Sequence, residues 1–302
     1  MVGLIIGLIA LMQLVGLTGL RAPTDWLTSR AQAPSHEVQM PAYHTQSTPV
    51  GAVPNLNLSA GGVIAIDAAT GQVLYQKAAD QPRAIASITK IFTALVILRD
   101  HNPDETVTVP VLPAYPNGAV TLGLVAGQQF KLGDLVKAAL IPSANDAADT
   151  LAIYDAGSVA NFATKLNSLA ASWGLTNLHL ANANGLDDTG NNASPQALAS
   201  AARLLLASPS AKVVAATSDG YISDLSGHQY HLISTNELLK DPSFSGIKTG
   251  YTPVAGQCLL ATSNIHGHSV ITVVLGSQDR FGETKQLTQA IERSITWPEP
   301  PS

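Results

Sequence analysis

Three short polar clusters interrupt an otherwise apolar chain, and their residue types are those of acyl-transfer chemistry. They are Ser87-Ile88-Thr89-Lys90, Ser143-Ala144-Asn145 and Lys248-Thr249-Gly250. A serine hydroxyl is a poor nucleophile near neutral pH unless a base takes its proton. A lysine can be that base when burial or a second cation lowers its pKa. Serine and lysine three residues apart face each other only on a helix. This requirement separates two copies of the same spacing. Ser87 opens a helical apolar run in which Lys90 lies among Ile88, Ile91, Phe92 and Leu95, whereas Ser245-Gly246-Ile247-Lys248 runs into a strand. Ser87 and Lys90 are therefore the candidate nucleophile and base. A nucleophile at a helix N-terminus also has free backbone N–H groups beside it for an oxyanion. Taken singly the patterns are weak: Ser-x-x-Lys fits an ordinary helix with a snorkelling lysine, and Ser-x-Asn recurs at Ser234-Thr235-Asn236.

The elements that must position these residues follow from the apolar pattern. Gly62 to Ile66, the turn Asp67-Ala68-Ala69-Thr70-Gly71 and then Gln72 to Tyr75 read as a hairpin. Ser87 to Arg99 reads as a helix stopped by Asp100-His101-Asn102-Pro103. Most of the chain from Leu132 to about Leu206 looks helical, with Ser194-Pro195 as an N-cap and first-turn proline. Strand-like runs return at Gly220 to Ile233, Gln257 to Thr262 and Ser269 to Leu275, before a last helix from about Glu283 to Ile295. Strands near both ends with helices between them predict an α/β domain whose sheet carries a mostly helical insertion.

In this order, Ser87-x-x-Lys90, Ser143-x-Asn145 and Lys248-Thr249-Gly250 resemble the penicillin-binding protein and serine β-lactamase superfamily. From about Gly61 to Leu287 the sequence is similar to low-molecular-weight, serine-type D-alanyl-D-alanine carboxypeptidases. The stretches that carry this are Ile66 to Tyr75, Ala86 to Leu95, Pro142 to Ala148, Asn184-Gly185-Leu186-Asp187-Asp188 and Gly246 to Thr252. The resemblance implies a β-lactamase/transpeptidase-like fold, an antiparallel sheet flanked by helices, with the insertion carrying Ser143-Ala144-Asn145. It implies that Ser87 attacks the carbonyl between two D-alanines of a peptidoglycan stem peptide while Lys90 accepts its proton. Ser143, hydrogen-bonded between lysines, would relay a proton to the departing D-alanine, and Asn145 would orient Lys90 and the substrate amide. Lys248 and Thr249 would hold the terminal carboxylate, and Gly250 would keep the strand clear for the substrate backbone. The backbone N–H groups of Ser87 and Tyr251 would form the oxyanion hole, and Arg280 would stand near the carboxylate pocket. β-Lactams would then act as covalent inhibitors, and no cofactor is implied.

Rival readings differ in identifiable residues. A class A-like β-lactamase places a glutamate between the second and third clusters to activate a deacylating water, and no glutamate occurs from Thr106 to Asn236. A non-catalytic penicillin- or wall-binding module would keep the pocket without turnover. Endopeptidase action on crosslinks would use the same residues. Net charge is −5, with no Lys/Arg cluster, so binding of nucleic acid through a basic face is not expected. Cys258, the one cysteine, reads as a small buried hydrophobe of a strand. His228 and His231 flank a hairpin without forming a ligand pair, and no metal site is expected. Asp187-Asp188-Thr189-Gly190 reads as a turn, because a calcium loop would need a downstream glutamate.

The two ends have another character. Val2 to Leu20 is apolar and, as a helix, spans roughly 28 Å, close to a bilayer core. No Lys or Arg precedes it, and Ala31-Gln32-Ala33 lies too far beyond it for signal cleavage. An uncleaved anchor is favoured over a cleaved signal. The expected organisation is a membrane anchor or signal segment at 1–21, a Pro/Ser/Thr-containing linker at 22–57, the peptidase domain at 58–297 and a tail at 298–302. Arg21 and Arg30 argue weakly for a cytoplasmic flank. The family resemblance overrides that count and implies an extracytoplasmic domain, facing the wall.

Overall fold

The computed structural model describes residues 49–186 and 190–298. The expected anchor or signal segment, the expected linker as far as residue 48, Asp187, Asp188 and Thr189 of the expected turn, and residues 299–302 of the expected tail lie outside them. Among the described residues, no single helix is long and apolar enough to cross a membrane.

The chain begins with a short strand β1 (Val50–Gly51), then the hairpin β2 (Gly62–Asp67) and β3 (Val73–Lys77). Asp67 closes the hairpin by accepting the N–H groups of Ala69 and Thr70 and the Thr70 hydroxyl. After β4 (Arg83–Ala84) a 3-10 turn over Ala86–Thr89 leads into α1 (Lys90–Asp100). The insertion then supplies β5 (Thr106–Thr108), β6 (Gln129–Lys131), α2 (Leu132–Leu140), α3 (Asn145–Ala156), α4 (Val159–Ser172), β7 (Leu178–His179) and β8 (Asn192–Ala193). Helices α5 (Pro195–Ala207) and α6 (Pro209–Ala215) each start from a serine whose hydroxyl accepts a first-turn N–H, with proline at the first helical position. The chain returns through the hairpin β9 (Asp219–Ser223) and β10 (Gln229–Ile233), the long strands β11 (Phe244–Thr252), β12 (Gly256–Ile265) and β13 (His268–Ser277), helix α7 (Arg280–Ser294) and β14 (Ile295–Thr296).

The principal sheet has five antiparallel strands in the order β11-β12-β13-β2-β3. Its inner strands β2, β12 and β13 are largely buried on both faces, so their apolar residues run on instead of alternating with polar ones. Side-chain direction still alternates within them. Ile64 and Ile66 of β2, with Ile271, Val273 and Leu275 of β13, enter the large core shared with the helical insertion. Val63, Ala65, Val270 and Val274 enter a second core, closed by Leu287 and Ile291 of α7. Cys258 is fully buried and faces the large core beside Leu260, and burial pushes its thiol up to about 11. Edge strand β11 packs against the 3-10 turn that carries Ser87.

Candidate active site

Three elements converge here: the 3-10 turn and α1, the α2–α3 connection, and strand β11. Ser87 is partly exposed on the turn, and Lys90, one turn later, is fully buried. The Lys90 ammonium donates to Ser87 Oγ (3.0 Å), Asn145 Oδ1 (2.7 Å) and the backbone carbonyl of Asn184 (2.5 Å). A lysine has three protons to donate, and all three are placed. Burial lowers its pKa to about 7, against the opposing pull of Asp149 and Asp146. A lysine in that range is divided between acid and base near neutrality, the condition a general base needs.

The turn carrying Ser87 is pressed between two glycines. Ala86 holds a left-handed backbone (φ 48°), and its carbonyl accepts the Thr89 hydroxyl at 2.8 Å. On one side, a Cβ on Gly185 (φ +82°) would lie 2.0 Å from the Ala86 carbonyl oxygen. On the other, a Cβ on Gly250 would lie 2.7 Å from the Ile85 carbonyl oxygen and 3.3 Å from the Ser87 nitrogen. Gly250 was expected to leave room for substrate backbone. Its missing side chain also lets strand β11 approach the nucleophile turn itself.

Ser143 occupies the sharp connection between α2 and α3 with a left-handed backbone (φ 73°) and is buried. The resemblance implied a hydroxyl bonded between two lysines. In the structure Ser143 makes no hydrogen bond to either: the protons of Lys90 go to the partners above, and Lys248 Nζ donates to the Thr249 carbonyl at 3.1 Å. Asn145 is the first residue of α3, its N–H donating to the Val120 carbonyl while its side chain meets Lys90. The neighbouring Asp146 accepts the N–H groups of Leu122 and Leu124, fastening the 120–124 loop to the same helix.

Lys248 is buried, and its pKa is driven well below the ordinary value by burial, then by repulsion from Lys90 and Arg280. The charges that act on it, Lys90 and Arg280, are both cations. Thr249 Oγ1 lies 2.5 Å from Thr235 Oγ1. Arg280 begins α7 and donates through Nη1 to the Gly250 carbonyl (2.8 Å), its guanidinium 4.8 Å from the Phe281 ring centroid. Its Nε is buried without a hydrogen-bond partner among the described residues, and burial lowers its pKa. The Tyr251 side chain is exposed at the end of this strand. Ser245, the alternative partner for Lys248, instead pairs its hydroxyl with Thr262 at 2.8 Å.

Four residues at the site carried no role in the sequence reading. Thr235 belongs to the repeated Ser-x-Asn, yet it reaches Thr249 while Ser234 and Asn236 accept the backbone N–H groups of a turn. Asn184 was visible only as part of Asn-Gly-Leu, and it supplies a carbonyl to Lys90. Asp149 and Tyr115 complete a layer behind it, with Tyr115 Oη donating to Asp149 Oδ2 at 2.8 Å. A buried acid one helical turn after Asn145 was the available signal for Asp149. Nothing in the sequence foretold Tyr115, whose loop has no periodicity. Among the described residues no group of three His, Cys, Asp or Glu side chains could hold a metal ion.

Residues 46–279 match the family described as D-alanyl-D-alanine carboxypeptidase. Over 238 residues the chain is 30% identical to the D-alanyl-D-alanine carboxypeptidase DacF of Bacillus subtilis, covering 77% of this chain and 61% of that protein. This chain thus spans less than two thirds of that relative's length. The crystal structure of the Streptomyces K15 DD-transpeptidase superposes with a TM-score of 0.72 at 29% identity, covering 79% of this chain and 98% of that one. Penicillin-binding protein D2 from Listeria monocytogenes, in its ampicillin-bound form, superposes with a TM-score of 0.67 at 29% identity, over 78% and 98% of the two chains.

Proposed function

The chain belongs to the D-alanyl-D-alanine carboxypeptidase family, and from that premise we propose that it removes the terminal D-alanine from peptidoglycan stem peptides through an acyl-enzyme on Ser87. The observation that carries this reading is the fully buried Lys90 amine, 3.0 Å from Ser87 Oγ and with a pKa of about 7. In the first step Ser87 Oγ bonds to the carbonyl carbon between the two D-alanines while its proton passes to Lys90. Collapse of the tetrahedral intermediate breaks the peptide C–N bond. The leaving amine takes up the proton held on Lys90, for which Ser143 gives a route once the amine lies beside it, so that D-alanine departs and Lys90 is neutral again. Water then cleaves the ester and frees Ser87.

Lys248, a buried cation short of an anion, fits the terminal carboxylate, with Thr249 and Arg280 on the same strand and helix start. Asn145, already bonded to Lys90, orients the substrate amide. A β-lactam presents a carboxylate and a reactive carbonyl in the same relation, so it would acylate Ser87 and persist wherever water is poorly activated. The ampicillin-bound relative lends support to that behaviour.

The test is intact mass of the chain with a fluorescent penicillin over time, with Ser87→Ala alongside and release of D-alanine measured from a stem pentapeptide. We expect a lasting adduct of one drug per chain, absent in the variant, and D-alanine release by the wild type alone. Rapid drug turnover, or an adduct that survives in Ser87→Ala, would overturn the reading. The localisation proposed with it is an extracytoplasmic domain attached through the apolar Val2 to Leu20 segment. It is supported by the substrate lying outside the cytoplasmic membrane. A reporter fused after Ser302 should be active outside; activity confined to the cytoplasm would reverse the topology.

A further inference from the structure

Behind Lys90 lies a carboxylate that the acyl-transfer scheme does not use. Asp149, on α3, is 2% exposed. Both of its oxygens accept from Asn184 Nδ2 at 3.0 Å, and Oδ2 also accepts the Tyr115 hydroxyl at 2.8 Å. The orientation of the Asn184 amide is fixed independently, because its Oδ1 accepts the Leu186 N–H at 2.8 Å. Every partner of Asp149 is thus a donor, the arrangement that suits an ionised carboxylate. Burying such a charge is costly unless a cation uses it. The cation that faces Asp149 among the described residues is Lys90. The two are linked through one residue: the Asn184 side chain is held by Asp149 and its carbonyl receives Lys90. Thr93, one turn further along α1, fastens the preceding carbonyl of Ala183 at 2.7 Å, so this segment cannot drift along the helix.

We propose that Asp149 is a positioning residue for Lys90, acting through Asn184 and joined by Tyr115 to the loop that rims the site. The inference rests on the reading of Lys90 as general base. When Ser87 Oγ attacks, its O–H bond breaks and an N–H bond forms on Lys90, so a cation appears in a buried site. Burial pushes the Asp149 carboxyl up from its ordinary value, while the Tyr115 and Asn184 donors and Lys90 pull it back down. Ionised, it favours this cation without taking its proton, and Asn184 keeps the amine aimed at Ser87. Three other charges bear on the pair. Asp146, on the same helix, adds to the negative field at Lys90; Lys248, from β11, faces Lys90 with the opposite effect; and Arg280 acts on Lys248.

The test is the pH dependence of acylation by a fluorescent penicillin between pH 5 and 9, using the full-length wild type, Asp149→Asn and Tyr115→Phe, with thermal melts of each. Removing the charge while keeping the shape lowers the pKa of Lys90. The acidic limb of the profile should therefore move down by about one pH unit, the lower end of what one opposite charge nearby is worth. The plateau rate should fall about tenfold or more, because the amine is less well aimed and its cation less favoured. Tyr115→Phe should move the limb in the same direction by less, since its carboxylate takes up a proton more readily. A folded Asp149→Asn with its limb at the wild-type position overturns the proposal, whatever happens to the plateau, because a merely structural role leaves the limb in place. If Asp149→Asn fails to fold, Tyr115→Phe decides by the same criterion. A wild type that forms no adduct overturns the proposed function and this inference together. An adduct with unmoved limbs overturns the inference alone.

Discussion

At the scale of single residues, the proposed acyl transfer depends on a lysine that must be neutral to accept a proton. The pKa of Lys90 is lowered to about 7, chiefly by burial. The base form therefore grows as pH rises through that value. Acylation should increase about tenfold per pH unit well below 7 and level off above it. A stopped-flow profile with a fluorescent penicillin measures this, and a flat profile from pH 5 to 9 would mean that another group takes the proton. Lys248 titrates in the opposite functional sense in the proposed reading, where it holds the carboxylate as a cation. A carboxylate arriving at the site would offset its repulsion from Lys90 and Arg280 and raise its pKa. Free enzyme and bound enzyme should thus differ in lysine charge before any bond is broken.

At the scale of elements, the site depends on how closely the 3-10 turn can be approached. Gly185 has φ +82°, and a Cβ there would sit 2.0 Å from the Ala86 carbonyl oxygen. Gly185→Ala should cost about 2–4 kcal/mol, from left-handed strain plus forced displacement of a packed turn. Differential scanning calorimetry would read this, and acylation should fall with it because Ser87 moves away from Lys90. An unchanged melting temperature would mean the turn tolerates displacement. This clamp explains which parts of the site were legible in the sequence. Ser87, Lys90 and Lys248 were legible because a helix makes i and i+3 neighbours and because cations in apolar surroundings stand out. The hairpin, α1, α5 and α7 were legible from apolar pattern and caps. Asn184, which meets Lys90, and Asp149 and Tyr115 behind it come together only through the fold, from loops and helices far apart in sequence. Their contacts use a backbone carbonyl and a second layer of bonds that leave no local spacing. At Gly250 the sequence showed only half of the constraint, for a related reason. A missing side chain reveals that something comes close, and only the three-dimensional packing identifies that neighbour as the nucleophile turn.

At the scale of the whole molecule, the two ends of the described chain are tied together on the outer face of the sheet. Val50 and Gly51 pair with Thr296 and Ile295, and the Pro49 carbonyl accepts Gln72 Nε2 at 2.9 Å. Val53 and Leu56 then pack against the second core, which contains Leu58, Leu74, Tyr75, Leu287 and Ile291. From the other end, Trp297 donates to Asp67 at 2.8 Å and stacks on His268. Asp67 also closes the first hairpin, so Trp297 braces the turn where the sheet begins. Residues 49–57, expected as the end of a linker, therefore contribute a strand and apolar cover. Composition alone concealed this, because Pro49, Pro54 and Asn57 break any period while Val53 and Leu56 are only partly buried. A chain beginning at Leu58 should lose about 1–2 kcal/mol relative to one beginning at Pro49, from exposed apolar area. For a domain of this size that lowers the melting temperature by roughly 2–8 °C. None of these residues meets Ser87 or Lys90, so the acylation profile with pH should keep its shape below the new melting point. Equal melting temperatures for the two chains would show that the strand pairing adds nothing beyond its own ordering cost. A shifted acidic limb in the shorter chain would show instead that the outer face communicates with the site through the sheet.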